Sequence, residues 1–187
     1  MEHTAAKKKM STAQMTAAAL VTAVTCILGP MSVPIPVSPV PISLTNLVLY
    51  FSVYLLGARR AAVSYLVYLL IGMAGLPVFS GFSGGLGKLA GPTGGYLLGF
   101  LFLVVISGMF VERFPGNAVL QGIGMVLGTA VCYLFGTVWL SGQMHIGFGA
   151  GLAVGVLTYL PADAVKIILA LAAGPKISRR VALGTRI

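Results

Sequence analysis

Apolar residues along this chain fall in a series of long runs separated by short polar clusters. A helix that crosses a bilayer needs roughly 20 mostly apolar residues, about 17 at the least. The first run, 13–29, follows Lys7, Lys8 and Lys9, and because further runs succeed it, it reads as a span and not as a signal peptide. Residues 30–41 hold five prolines and cannot form a helix interior. A second run covers 42–56 and is closed by Arg59 and Arg60; a third covers 61–74. A glycine-rich loop occupies 75–93, a fourth span runs over 94–111 to Glu112 and Arg113, and a fifth covers 118–140. The last stretch, 146–174, is too long for one simple span. Leu160-Pro161-Ala162-Asp163 has the form of a helix start, with proline in the first turn and an acid after it. A short helix or re-entrant piece at 148–159 is therefore expected before a final span from Pro161 to Lys176. The predicted fold is all-α: a polytopic membrane protein of six transmembrane helices (13–176), a folded outer loop between helices three and four, and tails at 1–12 and 177–187.

Composition agrees with this pattern. The 187 residues are 58% apolar and 8% charged, against about half and about a quarter in a soluble domain, and the mean hydropathy is +1.01. These values exclude a soluble enzyme, a disordered tail and a secreted disulfide scaffold. Cys26 and Cys132 lie inside apolar runs and read as small buried hydrophobes. The net charge of +9 sits in clusters between the runs, without the interleaved aromatics of a nucleic-acid surface, so the lipid bilayer and not nucleic acid is the expected surroundings. With the N-terminus inside, ten of the twelve basic residues become cytoplasmic: Lys7, Lys8, Lys9, Arg59, Arg60, Arg113, Lys176, Arg179, Arg180 and Arg186. The exceptions are Lys88 and Lys166. This orientation predicts a multi-pass protein of the cell membrane with both termini cytoplasmic, and it places the proline segment, the 75–93 loop and a 139–145 link outside.

Candidate chemistry is sparse. Gly87-Lys88 lacks the first glycine and the Ser/Thr of a P-loop, so ATP hydrolysis by this chain is not expected. The Gly85–Ala90 stretch loosely fits a dinucleotide fingerprint but has no βαβ unit around it. His3 and His145 are far apart, no nucleophile–base set is visible, and Glu2 and Glu112 read as solvated, so neither a metal, a cofactor nor acid–base catalysis is expected. Asp163 and Lys166 stand out because ionisable groups within a membrane cost about 2.5–3.5 kcal/mol each on insertion scales. Three residues apart, they share one helix face. They form either an internal ion pair that sets helix register or a donor and acceptor presented together to a polar ligand. Ala13/Ala17 and Ala19/Ala23 are small pairs at i,i+4 that suit close approach of a partner helix. The apolar, glycine-broken loop at 75–85 can fold as a lid over an outward cavity. Phe79, Phe82 and Tyr96 can stack on a flat or sulfur-containing ring, and residues 91–95 put backbone N–H groups at the start of the fourth span, where an anion is favoured.

GLPVF at 75–79, Gly84-Gly85, GPTGGYLLGF at 91–100 and LPADAVK at 160–166 resemble the biotin-binding S component of energy-coupling-factor transporters. The segment Val40-Pro41-Ile42-Ser43-Leu44 is similar to that family's first outer loop; Thr45-Asn46 departs from its Thr-Leu-Gln-like pattern. The resemblance covers nearly the whole chain. It implies biotin capture from outside, a partner module of one transmembrane coupling protein with two ATPases, docking through the alanine face of helix one, and no resident cofactor. The substrate-binding residues it implies are Asp163, Lys166, Phe79, Gly84, Tyr96, Ser43 and Lys88. The adjacent Asp163 and Lys166 suit the ureido head of biotin, leaving the carboxylate near Lys88 or the 91–95 amides; Lys166 on the carboxylate is the alternative. Other readings are an S component for thiamine or riboflavin, a self-sufficient small transporter, and an intramembrane enzyme, which the missing nucleophile–base set disfavours.

Overall fold

The structure is a computed structural model that describes residues 11–36 and 38–184. Lys7, Lys8, Lys9 and Arg186, which carry part of the charge argument, lie outside the described residues, as do Glu2, His3 and most of the segment 1–12. Helix α1 (Thr12–Leu28) opens with a capping box. The Ser11 hydroxyl accepts from the Gln14 N–H and the Gln14 side chain accepts from the Ser11 N–H, pairing two donors a helix start leaves free. The helix ends at Gly29-Pro30.

The proline segment then forms an antiparallel hairpin, β1 (Ser32–Ile35) with β2 (Ser38–Ser43), in which Ser32 faces Ser43 and Val33 faces Ile42. This corrects the all-α expectation. Proline forbids a helix interior here, but a two-stranded ribbon has only edges, where a missing N–H is tolerated.

Helix α2 (Thr45–Met73) takes in the second and third apolar runs, with Gly57 at φ 75, ψ 171 interrupting it. The Tyr68 side chain meets Thr45, two positions that a straight helix would hold about 35 Å apart. The chain therefore reverses at Gly57, and the halves 45–56 and 58–73 lie side by side. Glycine is needed there twice over: its φ is left-handed, and a Cβ would stand 2.1 Å from the Glu112 carboxylate. That carboxylate accepts the Ala58 N–H at 2.8 Å and so caps the second half of α2, where an acid also complements the helix dipole. Glu112 is exposed, as its solvated reading required, but it is also a structural residue.

The following loop folds against the bundle. Gly81 donates to the Pro30 carbonyl, Gly85 donates to the Gly72 carbonyl, and a short helix α3 (Leu86–Ala90) leads into α4 (Gly94–Arg113). Asn117 caps α5 (Ala118–Met144) by accepting from Leu120 N–H. This helix runs four residues past the predicted 140, so Trp139 lies within it and the predicted 139–145 link is mostly helical; His145, at φ 54, ends it. Helices α4 and α5 approach closely through glycines. A Cβ at Gly99 would lie 2.9 Å from the Cys132 sulfur, and one at Gly136 would lie 2.4 Å from the Tyr96 ring.

The break at Pro161 is present. A short α6 (Phe148–Leu152) continues as a π turn (Ala153–Leu157), and the pair meets α7 (Leu160–Gly184) at a 45° bend. Helix α7 runs eight residues beyond Lys176, through much of the segment expected as a tail. Gly174 abuts the Tyr54 ring and Ser178 donates to the Tyr54 carbonyl, so packing on α2 sustains the helix after its apolar run ends. By length and composition, α4 and α5 can each cross a membrane, as can the bent pair taken as one; α2 reaches that length only with its two halves counted together, and α1 is a shorter apolar helix. Large apolar side chains such as Leu20, Ile27, Leu70 and Val119 are exposed, a surface suited to lipid.

Candidate functional site

A cavity lies where six parts of the fold converge. Its walls are the end of the hairpin (residues 40–43), the first turn of α2 with Thr45 and Asn46, Ser80 of the loop, the first turns of α4 with Thr93, Tyr96, Leu97 and Phe100, and a last wall of Gly155, Tyr159, Asp163 and Lys166, with Tyr133 of α5 beside it. Asp163 and Lys166 are 7% and 8% exposed and pair at 2.9 Å. At that burial neither charge survives without partners, and the structure supplies them. The Lys166 ammonium donates to the Ser43 carbonyl (2.8 Å), to Asn46 Oδ1 (2.9 Å) and to Asp163 Oδ1 (2.9 Å), which uses all its N–H donors. Asp163 Oδ1 also accepts from Asn46 Nδ2 at 2.8 Å, and Asp163 Oδ2 accepts from the Tyr133 hydroxyl. The Tyr159 hydroxyl holds the hairpin to this wall through Ser38 Oγ and the Val40 carbonyl.

The residues expected from sequence separate into two groups. Asp163, Lys166, Ser43 and Tyr96 border the cavity, Ser43 acting on Lys166 through its backbone carbonyl. The Tyr96 hydroxyl donates to the Gly155 carbonyl at 3.0 Å, which holds its ring in place. Phe79, Gly84 and Lys88 are not among the described residues that line it. Phe79 is fully buried, edge-on to Tyr68 with centroids 5.6 Å apart, and fills the space over Gly72; in this arrangement it is a core residue and not a stacking surface. Phe82 is 70% exposed. Gly84 lets the loop close, since a Cβ there would lie 2.2 Å from the Leu76 carbonyl oxygen. Lys88 sits on α3, where partial burial pulls its pKa below the ordinary lysine value. The 91–95 amides are only partly free, because Gly94 donates to the Gly91 carbonyl and Pro92 has no N–H.

The alanines also divide. Ala19 and Ala23 are exposed along an apolar groove between α1 and the second half of α2, with Met15, Val63 and Val67. Ala17 packs against the core, and Ala13 is exposed but does not line the groove. Sequence reasoning did not name Asn46, Tyr133 or Tyr159 among the site residues, and it took Thr93 only as part of the 91–95 backbone. A polar Asn46 beside an apolar run was a usable signal; single tyrosines and threonines in membrane helices carry none.

The site thus offers a carboxylate acceptor, an ammonium with exchangeable partners, hydroxyls, and aromatic walls from Tyr96 and Phe100. That suits a small, largely apolar molecule bearing both N–H and C=O groups.

Comparison with known proteins finds matches over most of the chain. The BioY family model matches residues 3–183. The probable biotin transporter BioY of Pyrococcus horikoshii is 33% identical over 84% of this chain and 91% of its own length. The biotin transporter BioY of Rhizobium etli is 34% identical over 86% of this chain and 90% of its own. Among solved structures, the S-component for biotin from an ECF-type ABC transporter superposes with a TM-score of 0.84, at 30% identity, over 91% of this chain and 95% of that one.

Proposed function

The chain belongs to the BioY family, and from that membership we infer that it is the biotin-capturing membrane subunit of an energy-coupling-factor transporter. The observation that carries the site assignment is the buried Asp163–Lys166 pair on the wall of a cavity. Biotin's ureido ring carries N–H and C=O groups side by side, matching an acceptor and a donor one helical turn apart. In this reading Asp163 accepts a ureido N–H, and the ureido oxygen replaces Ser43 O or Asn46 Oδ1 as an acceptor for Lys166. Calorimetry on detergent-solubilised protein tests the reading: biotin should bind, and thiamine and riboflavin should not. Binding of either of those vitamins in preference to biotin would overturn it.

The finer architecture follows from the same reading. Six spans are assigned to α1, the two halves of α2, α4, α5, and α7 with the bent piece before it. The hairpin and the loop before α4 face outside, and both termini face the cytoplasm. In a chain with Cys26 and Cys132 replaced by alanine, Leu86→Cys is expected to react with an impermeant thiol reagent added from outside. Leu86 is 64% exposed. Labelling from the cytoplasmic side alone would reverse the orientation.

The chain is proposed to bind and deliver biotin without chemical change, drawing energy from a transmembrane coupling protein and two ATPases. The Ala19/Ala23 groove is the expected contact with the coupling protein, since small residues there let a helix seat closely. Ala19→Trp or Ala23→Trp should fill the groove and cut ATP-dependent uptake by about tenfold or more, while biotin binding to the isolated chain stays unchanged. Uptake against a gradient by the chain alone in liposomes would exclude the need for a partner.

A further inference from the structure

We propose that the Thr93 hydroxyl, at the start of α4, anchors the carboxylate end of the ligand. Thr93 occupies the N-cap position of a 20-residue helix, yet its side chain makes no capping bond. A capping threonine ordinarily has extended backbone and accepts from an N–H two or three residues on. Thr93 instead has φ −88, ψ −8. Its hydroxyl is buried without a hydrogen-bond partner, the residue is 7% exposed, and it lines the same cavity as Asp163 and Lys166. A buried hydroxyl with no partner is unfavourable and calls for an explanation. A ligand group in the cavity supplies one.

The surroundings specify what that group is. The first turn of a helix carries positive potential, which favours an acceptor over a second donor. Lys88 adds positive charge at the same end, on α3, where the neighbouring Leu89 carbonyl abuts Gly94. Lys166, on α7, is committed in the orientation given above to Asp163 and to the ureido oxygen, which takes the place of Ser43 O or Asn46 Oδ1. A ligand whose ureido end engages that network carries its carboxylate a valerate chain away, and a carboxylate only accepts hydrogen bonds. Thr93 offers a buried, unpartnered O–H donor on the wall of the same cavity. This inference rests on the biotin reading and on the ureido orientation given above.

The test is calorimetric, with biotin and with biotinol, in which a primary alcohol replaces the carboxylate. Thr93→Val keeps the side-chain shape and removes the hydroxyl; Thr93→Ser keeps the hydroxyl. Thr93→Val should weaken biotin about tenfold, equivalent to about 1.4 kcal/mol, and weaken biotinol no more than about threefold, because a hydrogen bond to a charged acceptor is the stronger kind. Thr93→Ser should retain most of the biotin affinity. If Thr93→Val elutes as aggregate, Thr93→Ala carries the same expectations. An unchanged biotin affinity, or equal losses for the two ligands, overturns the assignment while leaving biotin binding intact. Failure of the wild-type chain to bind biotin would overturn the functional reading, and this inference with it.

Discussion

Asp163→Ala is expected to weaken biotin binding by at least tenfold, about 1.4 kcal/mol, and to lower the thermal stability of the ligand-free protein. The substitution leaves the buried Lys166 ammonium with only the neutral Ser43 and Asn46 acceptors. It also removes the acceptor of Asn46 Nδ2 and of the Tyr133 hydroxyl. Breaking a buried pair in this way costs about 3–5 kcal/mol, whereas replacing both partners by apolar groups is often neutral. The double substitution Asp163→Ala with Lys166→Met should therefore recover much of the stability and none of the affinity. Asp163→Asn keeps one acceptor oxygen and should lose less than Asp163→Ala in both measurements. Thermal unfolding and calorimetry on the same detergent preparations separate the two roles. If the double variant regains stability and binds biotin as the wild type does, the pair only fixes helix register.

The same network shows how far the sequence could be read. Asp163 and Lys166 were legible because a charge inside an apolar run is expensive and hence informative, and their three-residue spacing placed them on one face. Their partners were less so: Ser43 was expected at the site only through the family resemblance, and Asn46 and Tyr133 were not expected there. Asn46, Ser43 and Tyr133 come from the start of α2, the end of the hairpin and the middle of α5, and only the folded chain brings these within 3 Å of α7. Apolar runs likewise located α1, α4 and the start of α7 to within two residues. The same runs could not distinguish α2 reversing at Gly57 from two separate helices, because the reversal takes a single glycine and a carboxylate, Glu112, from elsewhere in the chain. Phe79 packs over Gly72 and does not line the cavity; an aromatic residue beside glycines looks the same in sequence whether it faces a ligand or fills the gap a glycine leaves. The hairpin was hidden for a related reason: prolines announce what the segment cannot be, and its pairing depends on register.

Gly136→Val should damage both the fold and the site, although Gly136 does not line the cavity. A Cβ at Gly136 would stand 2.4 Å from the Tyr96 ring. That ring has little room to yield: Tyr96 is 5% exposed, and its hydroxyl is bonded to the Gly155 carbonyl on the far side. A Cβ at Gly155 would lie 2.1 Å from the same hydroxyl, so the tyrosine is held between two glycines. Valine must then either push α5 from α4 or displace Tyr96 into the cavity and break its bond to Gly155. Overpacking of this kind costs about 1–3 kcal/mol, and loss of the Tyr96 wall should weaken biotin at least tenfold, about 1.4 kcal/mol. Gly142→Val is the matched control on the same helix, because nothing lies within 4 Å of a Cβ there. Thermal unfolding with and without biotin should show the Gly136 variant less stable and little stabilised by ligand, and the Gly142 variant close to wild type. A Gly136→Val protein with wild-type melting and affinity would mean that the α4–α5 contact has slack enough to absorb an isopropyl group, and that the position of Tyr96 is not set by the glycines around it.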